Sequence, residues 1–404
     1  MDPAPLDPRA LADTLAPFGF SKGLPGNAYR SHDVFTWEQA TFFAGSWICL
    51  GRQDDLIGPG QARAVKAGNE TVLLVRDSER LRAFSNVCRH RGHELAPLGD
   101  AFDTRFIRCP YHAWTYRLDG TLMTAPTFSS RSDFEEDDYP LAAMDTRVWD
   151  GWLFVNLDGR ADPLETHLGN LATVLAPYGI NGLATAHRQR YEVQANWKLL
   201  VENYSECYHC TSIHPALCEV TPVNSGSDLS PTGLWCGGTM DLKPHAATMS
   251  FNGTTPLAPL PGVDGDRLRQ VVYASLFPNL LISAHPDYVL AHRLVPLAPD
   301  RTEVECTWLF PSSTVADASF DPAYAVDFWD LTNREDWAVC EGVQRGMVNS
   351  GHRQGPLSTW EATSYQFLTM VARAYLGQGL TPSPAEERSL SPPLRGGDAL
   401  RRQP

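Results

Sequence analysis

Between residues 47 and 156 the apolar positions fall in short runs broken by turn residues, a pattern of strands rather than helices. Thr71-Val-Leu-Leu-Val75 and residues 81–84, separated by Asp77-Ser-Glu79, predict a hairpin. Residues 115–117 and 121–123 predict another, with Asp119-Gly120 supplying the tight turn. A short helix is expected over residues 10–15. After Gly159 the period changes. Trp197, Leu200, Val201, Tyr204 and Tyr208 recur at helical spacing and predict a helix over 196–214, with Asn196 as N-cap. A second long helix is predicted over 327–347. Strands at 271–277, 280–283 and 303–310 lie between the two. An antiparallel sheet covered by helices buries these faces most economically, so the fold class is α+β, with a small all-β domain ahead of a sheet-and-helix domain.

On the second long helix, Trp329, Asn333, Asp336, Cys340, Val343 and Met347 form one stripe, and Asp336 is its only acid. A buried carboxylate is costly unless a cation or donors compensate it. Asp327, Asp330, Glu335 and Glu341 lie on other faces and read as solvated. The first long helix carries Glu206-Cys-Tyr-His209-Cys-Thr-Ser-Ile-His214-Pro215. Glu206 and His209 share a helical face. His209 and His214 are about 140° apart on an ideal helix. Pro215 pushes His214 out of the α region, which lets it turn inward. Two His and a carboxylate are the facial set that leaves iron(II) with open positions. Glu206 or Asp336 could be that carboxylate, and Asp336 is the better placed. Taken alone, such a set is equally the signature of core histidines.

Upstream, Cys88-Arg-His90 and Cys109-Pro-Tyr-His112 form two short mixed pairs, on loops just after one hairpin and just before the next. A Cys2His2 set could hold zinc. Zinc fingers, however, group Cys with Cys and His with His. Mixed pairs fit a Rieske centre, in which two Cys take one iron and two His the other. Trp114 either shields such a cluster or is a plain core residue. His93, His285 and His292 read as non-ligating, and Cys207 and Cys210 as small buried hydrophobes. Gly233, Gly237 and Gly238 suggest a mobile segment beside a pocket.

Length and composition complete this picture. A chain of 404 residues, 43% hydrophobic and 20% charged, suits two globular domains. It has no apolar run of membrane-span length and no secretory pattern, so no membrane partner is expected. Nine scattered cysteines argue against a disulfide framework and for a cytoplasmic location. A net charge of −14 argues against a nucleic-acid partner. Residues 133–138, Asp-Phe-Glu-Glu-Asp-Asp, read as a solvated loop, with a docking patch for a redox partner as the sharper alternative. The absence of a P-loop or dinucleotide fingerprint places NAD(P)H on another protein. Residues 381–404 are Pro-, Ser-, Gly- and Arg-rich and expected to be disordered.

From Trp37 through the two Cys/His pairs and residues 196–215 to Phe367, the chain resembles α subunits of Rieske non-haem iron oxygenases. The likeness is greatest to the branch that oxidises quaternary ammonium compounds such as carnitine and betaines. The resemblance implies a Rieske domain (41–158) inserted into a helix-grip catalytic domain (159–380), with a lead-in (1–40) packing on the latter. It implies a [2Fe–2S] cluster on Cys88, His90, Cys109 and His112, and mononuclear Fe(II) on His209, His214 and Asp336. Asp336, in Glu-Asp-Trp-Ala-Val-Cys-Glu, matches the third iron ligand. Glu206 matches the residue that bridges the two metal sites across a subunit boundary, where ring-oxidising relatives mostly carry Asp. The implied assembly is a homotrimer, served by a separate flavin/iron-sulfur reductase that brings NAD(P)H electrons, with O2 as co-substrate. The expected activity is hydroxylation or oxidative demethylation of a betaine- or carnitine-like molecule. Alternatives are hydroxylation or dioxygenation of an aromatic or other neutral ring, and a Rieske electron carrier without oxygenase chemistry. A trimethylammonium head is recognised by aromatic faces, and the candidates are Tyr204, Trp235, Tyr273, Phe277 and Trp329.

Overall fold

The computed structural model describes residues 2–78 and 80–382, so the reading of the tail from 383 onward lies outside the described residues. The fold is α+β. A seven-stranded antiparallel sheet runs in the order Ile48–Arg52, Trp152–Asn156, Ala143–Trp149, Leu81–Ser85, Glu70–Arg76, Gln61–Ala67, Phe102–Asp103. Its predicted hairpin pairs Val72 with Ser85 and Arg76 with Leu81. A three-stranded sheet of Ile107–Arg108, Thr115–Tyr116 and Leu122–Thr124 stands beside it. Gly120 takes the left-handed φ of 90° that its turn needs.

The second unit is a six-stranded antiparallel sheet ordered Leu183–Val193, Arg301–Pro311, Val289–Ala298, Leu280–Ala284, Gln270–Leu276, Trp235–Asp241. The helices Trp197–Tyr204, Ala323–Met347 and Ala362–Tyr375 cover it. The glycine-rich stretch at 237–238 is not a mobile segment. Gly237 and Gly238 are strand residues paired with Ala274 and Tyr273. A Cβ on Gly237 would lie 2.2 Å from the Tyr273 carbonyl, so close backbone packing explains the glycine.

The long helix begins earlier than its polar pattern suggests, at Ala323. The other predicted helix is broken. It stops at Tyr204, where Ser205 Oγ–H turns back to the Val201 carbonyl (2.7 Å), and Cys210–Ile213 and Pro215–Val220 are separate short helices. Residues 12–15 form turns after a single 3-10 turn, Pro8–Leu11, in place of the expected helix.

Buried polar bonds join the units. Asn279 accepts from the Cys49 N–H and donates to the Cys49 carbonyl, each at 3.0 Å, across the two sheets. The lead-in is anchored by Glu38, whose carboxylate accepts from Lys198 Nζ (2.6 Å), Trp197 Nε1 (2.9 Å) and the Tyr375 hydroxyl. The Lys198 and Glu38 side chains are fully buried. Lys198→Met leaves that carboxylate without its cation and is expected to cost about 3–5 kcal/mol. A denaturation midpoint measures it. The double variant Lys198→Met/Glu38→Gln should recover much of the loss, because the stranded charge goes with its partner.

Candidate active site

The two Cys/His loops have matching backbones. The Gly92 N–H donates to the Cys88 carbonyl (3.0 Å), and the Ala113 N–H to the Cys109 carbonyl (3.1 Å). Gly92 has φ 70° and Ala113 φ 60°, so each loop turns back at the same place after its cysteine. Cys88 and Cys109 are buried, while His90 and His112 are part-exposed. The imidazole centroids lie 4.7 Å apart, and Trp114 stacks on His90 at 5.0 Å. Burial pushes the Cys109 thiol up, and the Tyr116 hydroxyl lies 3.3 Å from Cys88 Sγ. His112 Nδ1 is buried without a hydrogen-bond partner, as suits a nitrogen that would ligate a metal. Two buried thiols and two rings nearer the surface suit the donor set of a Rieske cluster. His93 stays outside the set, with its ring bonded to the Glu94 carbonyl (2.6 Å).

The second set assembles where the broken helix crosses the long one. Glu206 Oε2 accepts from the backbone N–H groups of Tyr208 and His209, which fixes the turn after Tyr204. His214 has φ −118° and ψ 73°, outside the α region as Pro215 requires. Both imidazoles then turn Nε2 toward Asp336. Asp336 Oδ1 lies 3.2 Å from His209 Nε2 and 2.9 Å from His214 Nε2, and the two nitrogens are 3.2 Å apart. An octahedral metal with bonds of about 2.1 Å sets neighbouring ligand atoms about 3 Å apart, so this triangle fits one face of such an ion.

Each imidazole is also oriented from behind. His209 Nδ1–H donates to Glu206 Oε1 (2.6 Å), and His214 Nδ1–H to Glu335 Oε2 (2.7 Å). Glu335 is therefore not the solvated acid its helix face suggested. It reaches around the helix to His214, a role that shows only once the non-helical turn at Pro215 brings that ring alongside. His292 Nε2–H donates to Asn333 Oδ1 (3.0 Å), and His285 stacks on Tyr288 (4.0 Å). Burial pulls their pKa values down to about 4 and about 3. Cys207 and Cys210 are joined as a disulfide, contrary to their reading as independent small hydrophobes. The turn between them brings their Cα atoms to 4.9 Å, within bridging reach.

Burial pulls the His209 imidazolium down, but hydrogen bonds to Asp336 and Glu206 outweigh it and hold its pKa up at about 10. His214 is raised for the same reason. Burial pushes the Asp336 carboxyl up, and its bonds to the two rings pull it further down. A divalent cation must therefore displace protons from the rings. Apparent affinity for Fe(II) is expected to rise with pH through the neutral range, by about tenfold per unit for each proton displaced. Chelator competition and proton release measured together check this. A pH-independent affinity would mean that the ions bind elsewhere.

A cavity of about 350 Å³ opens over the triangle. Tyr204, Tyr273 and Trp329 line it, with ring centroids 5.8 Å apart for Tyr204–Tyr273 and 6.5 Å for Tyr273–Trp329. Trp235 and Phe277 do not reach it. Trp235 points into the other face of the sheet and donates to Asn170 Oδ1 (3.2 Å), and Phe277 packs on Phe42 and Trp197. Strand alternation decides this for Trp235, which pairs with Leu276 on the face opposite to Tyr273, whereas Phe277 lies past the end of its strand. Trp360 lines the cavity from an irregular segment with no periodicity to reveal it.

A family model of the ring-hydroxylating α subunit catalytic domain matches residues 180–377, and one of the Rieske [2Fe–2S] domain matches residues 46–140. The chain belongs to the Rieske non-haem iron oxygenase α subunits. It is 28% identical to the glycine betaine monooxygenase oxygenase subunit of Pseudomonas aeruginosa, over 92% of this chain and 94% of that one. It is 38% identical to the carnitine monooxygenase oxygenase subunit of Acinetobacter baumannii, over 48% of this chain and 53% of that one. Its structure superposes on a quaternary ammonium Rieske monooxygenase bound to L-carnitine with TM-score 0.74 at 26% identity, covering 92% of this chain and 99% of that one. The catalytic-domain match removes the electron-carrier reading. As a Rieske oxygenase subunit, the protein uses a [2Fe–2S] cluster, a mononuclear iron and O2, and draws electrons from a separate reductase to oxidise a small molecule. Among the described residues no helix is long and apolar enough to cross a membrane.

Proposed function

We propose that this oxygenase hydroxylates, or oxidatively demethylates, a small molecule carrying a quaternary ammonium head. The observation that carries this reading is the wall of Tyr204, Tyr273 and Trp329 beside the His209–His214–Asp336 triangle. A head with no N–H can be held only by aromatic faces and diffuse negative charge. In this reading Cys88, His90, Cys109 and His112 hold the cluster, and His209, His214 and Asp336 hold the iron. The working limits are a Rieske domain at 41–158 and a catalytic domain at 159–380. The bound iron supplies the oxygen chemistry. The chain's own residues orient the head so that one N-methyl group lies nearest the open metal positions, and they keep that space small. One oxygen atom enters the C–H bond, and the other leaves as water with two reductase electrons and two protons. A hydroxylated N-methyl group then collapses to formaldehyde and the demethylated amine.

Glu206 is proposed as the link between His209 and a Rieske histidine of a neighbouring subunit in a homotrimer. Its contact with His209 supports this, and so does a similar quaternary ammonium Rieske monooxygenase, whose structure gave insights into inter-subunit electron transfer in that protein. The proposed location is the cytoplasm. The test reconstitutes the protein with a surrogate reductase and measures NADH-dependent O2 uptake and formaldehyde across quaternary amines and aromatic acids. Product matched to O2 uptake with quaternary amines is the expected result. Coupled turnover only with uncharged aromatic compounds would overturn the substrate class and leave the two-metal reading intact.

A further inference from the structure

The cavity over the triangle carries an unbalanced charge. Three carboxylates line it, those of Glu206, Asp228 and Asp336, and among the described residues no Lys or Arg does. One iron(II) ion offsets two of these negative charges. That leaves one uncompensated, and Asp228 is the acid that touches neither His209 nor His214. Its side chain accepts from Thr363 Oγ1 (2.8 Å), and its backbone bridges to Gly238 of the edge strand. The loop carrying it is pressed onto that strand. A Cβ on Gly226 would lie 1.7 Å from the Thr239 carbonyl, and the Thr239 N–H donates to the Ser227 carbonyl (2.9 Å). Asp228 is therefore held by backbone pairing at the exposed mouth of the cavity.

We propose that the substrate is a quaternary ammonium cation whose far end is uncharged, an alcohol, ether or amide, and that Asp228 turns away the carboxylated compounds. This rests on the quaternary-ammonium reading above and narrows it. A carboxylate at this open mouth keeps part of its water, but it is bound favourably only where a cation receives it, and guanidinium is the side chain best shaped to do so. The cavity offers none. Apart from the three acids and the two imidazoles its polar lining is neutral, with the amide of Asn224 and the hydroxyls of Thr239 and Thr359 among it. Such groups hydrogen-bond an alcohol or amide well. They bring no charge to offset a carboxylate, and Asp228 repels one. A betaine would bury its ammonium against the aromatic wall and leave its own anion facing Asp228. A cation with a neutral tail gains from both.

The test is calorimetric titration of the oxidised holoenzyme, without reductase, with choline, glycine betaine, carnitine and naphthalene. Choline is expected to bind at least about tenfold more tightly than either carboxylated compound. Asp228→Asn should narrow that ratio severalfold. Asp228→Lys should reverse it, with the visible spectrum showing that the variant still holds its cluster. Glycine betaine or carnitine binding as tightly as choline would overturn the narrowing and leave the quaternary-ammonium reading standing. Binding of naphthalene alone would overturn both. A preference unchanged in Asp228→Lys would overturn the assignment to Asp228.

Discussion

Cys109→Ser is expected to strip the protein of the visible absorbance and EPR signal of its cluster while iron remains in the second site, and Asp336→Ala to do the reverse. The two donor sets lie on separate elements. Cys88 and Cys109 sit in loops of the small β unit, and the triangle joins the long helix to the turn after Tyr204. Emptying one site removes no contact that shapes the other. Turnover should be lost in both variants, because the reaction needs the electron store and the oxygen site together. Iron and sulfide analysis beside the spectra separates them. A Cys109→Ser protein with an intact Rieske spectrum would refute the ligand assignment, as would an Asp336→Ala protein with full iron content.

Glu206→Gln should keep both metals and still lose turnover, by about 10- to 100-fold. The amide can orient His209 but carries no charge to favour an imidazolium or to accept a second ring from a neighbour. The diagnostic measurement is a single turnover from the reduced enzyme, in which cluster reoxidation slows while substrate affinity holds. Glu335→Gln makes the contrast. It supports His214 alone, so its expected loss of about 10- to 100-fold falls on iron affinity. Equal behaviour of the two variants would show that Glu206 merely positions a ligand. A fully active monomer would remove the subunit bridge altogether.

The metal chemistry was legible because its residues are chemically distinctive and close in sequence. Two mixed Cys/His pairs announce a Rieske centre without any knowledge of the fold. Asp336 stood out because an acid on an otherwise largely apolar stripe needs an explanation. What remained hidden depends on where the chain leaves regular geometry. Periodicity ran the first helix on to His214, whereas side chains of Ser205 and Glu206 capture the backbone and end it at Tyr204. That break turns His209 and His214 toward each other, draws Glu335 into the site and brings Cys207 to Cys210. No helical wheel contains those contacts. The aromatic candidates divided for a related reason. Tyr273 faces the cavity from its strand, but the sheet register turns Trp235 to the opposite face, and Phe277 lies past the strand end and packs in the core. Trp360 and Asp228, on irregular segments, gave no periodic signal at all.

The closure of the catalytic core by its most distant parts has a consequence for how the protein is made. Glu38 accepts from the Tyr375 hydroxyl, and the Ala4 N–H donates to the Tyr375 carbonyl, so the lead-in waits for the last described helix. The small β unit has no such wait, since its sheet is complete once Trp152–Asn156 has been synthesised. On the ribosome the chain therefore presents a foldable cluster cradle while Asp336 is still untranslated. The order of the chain thus lets the donors of the cluster be brought together before the second donor set has been made.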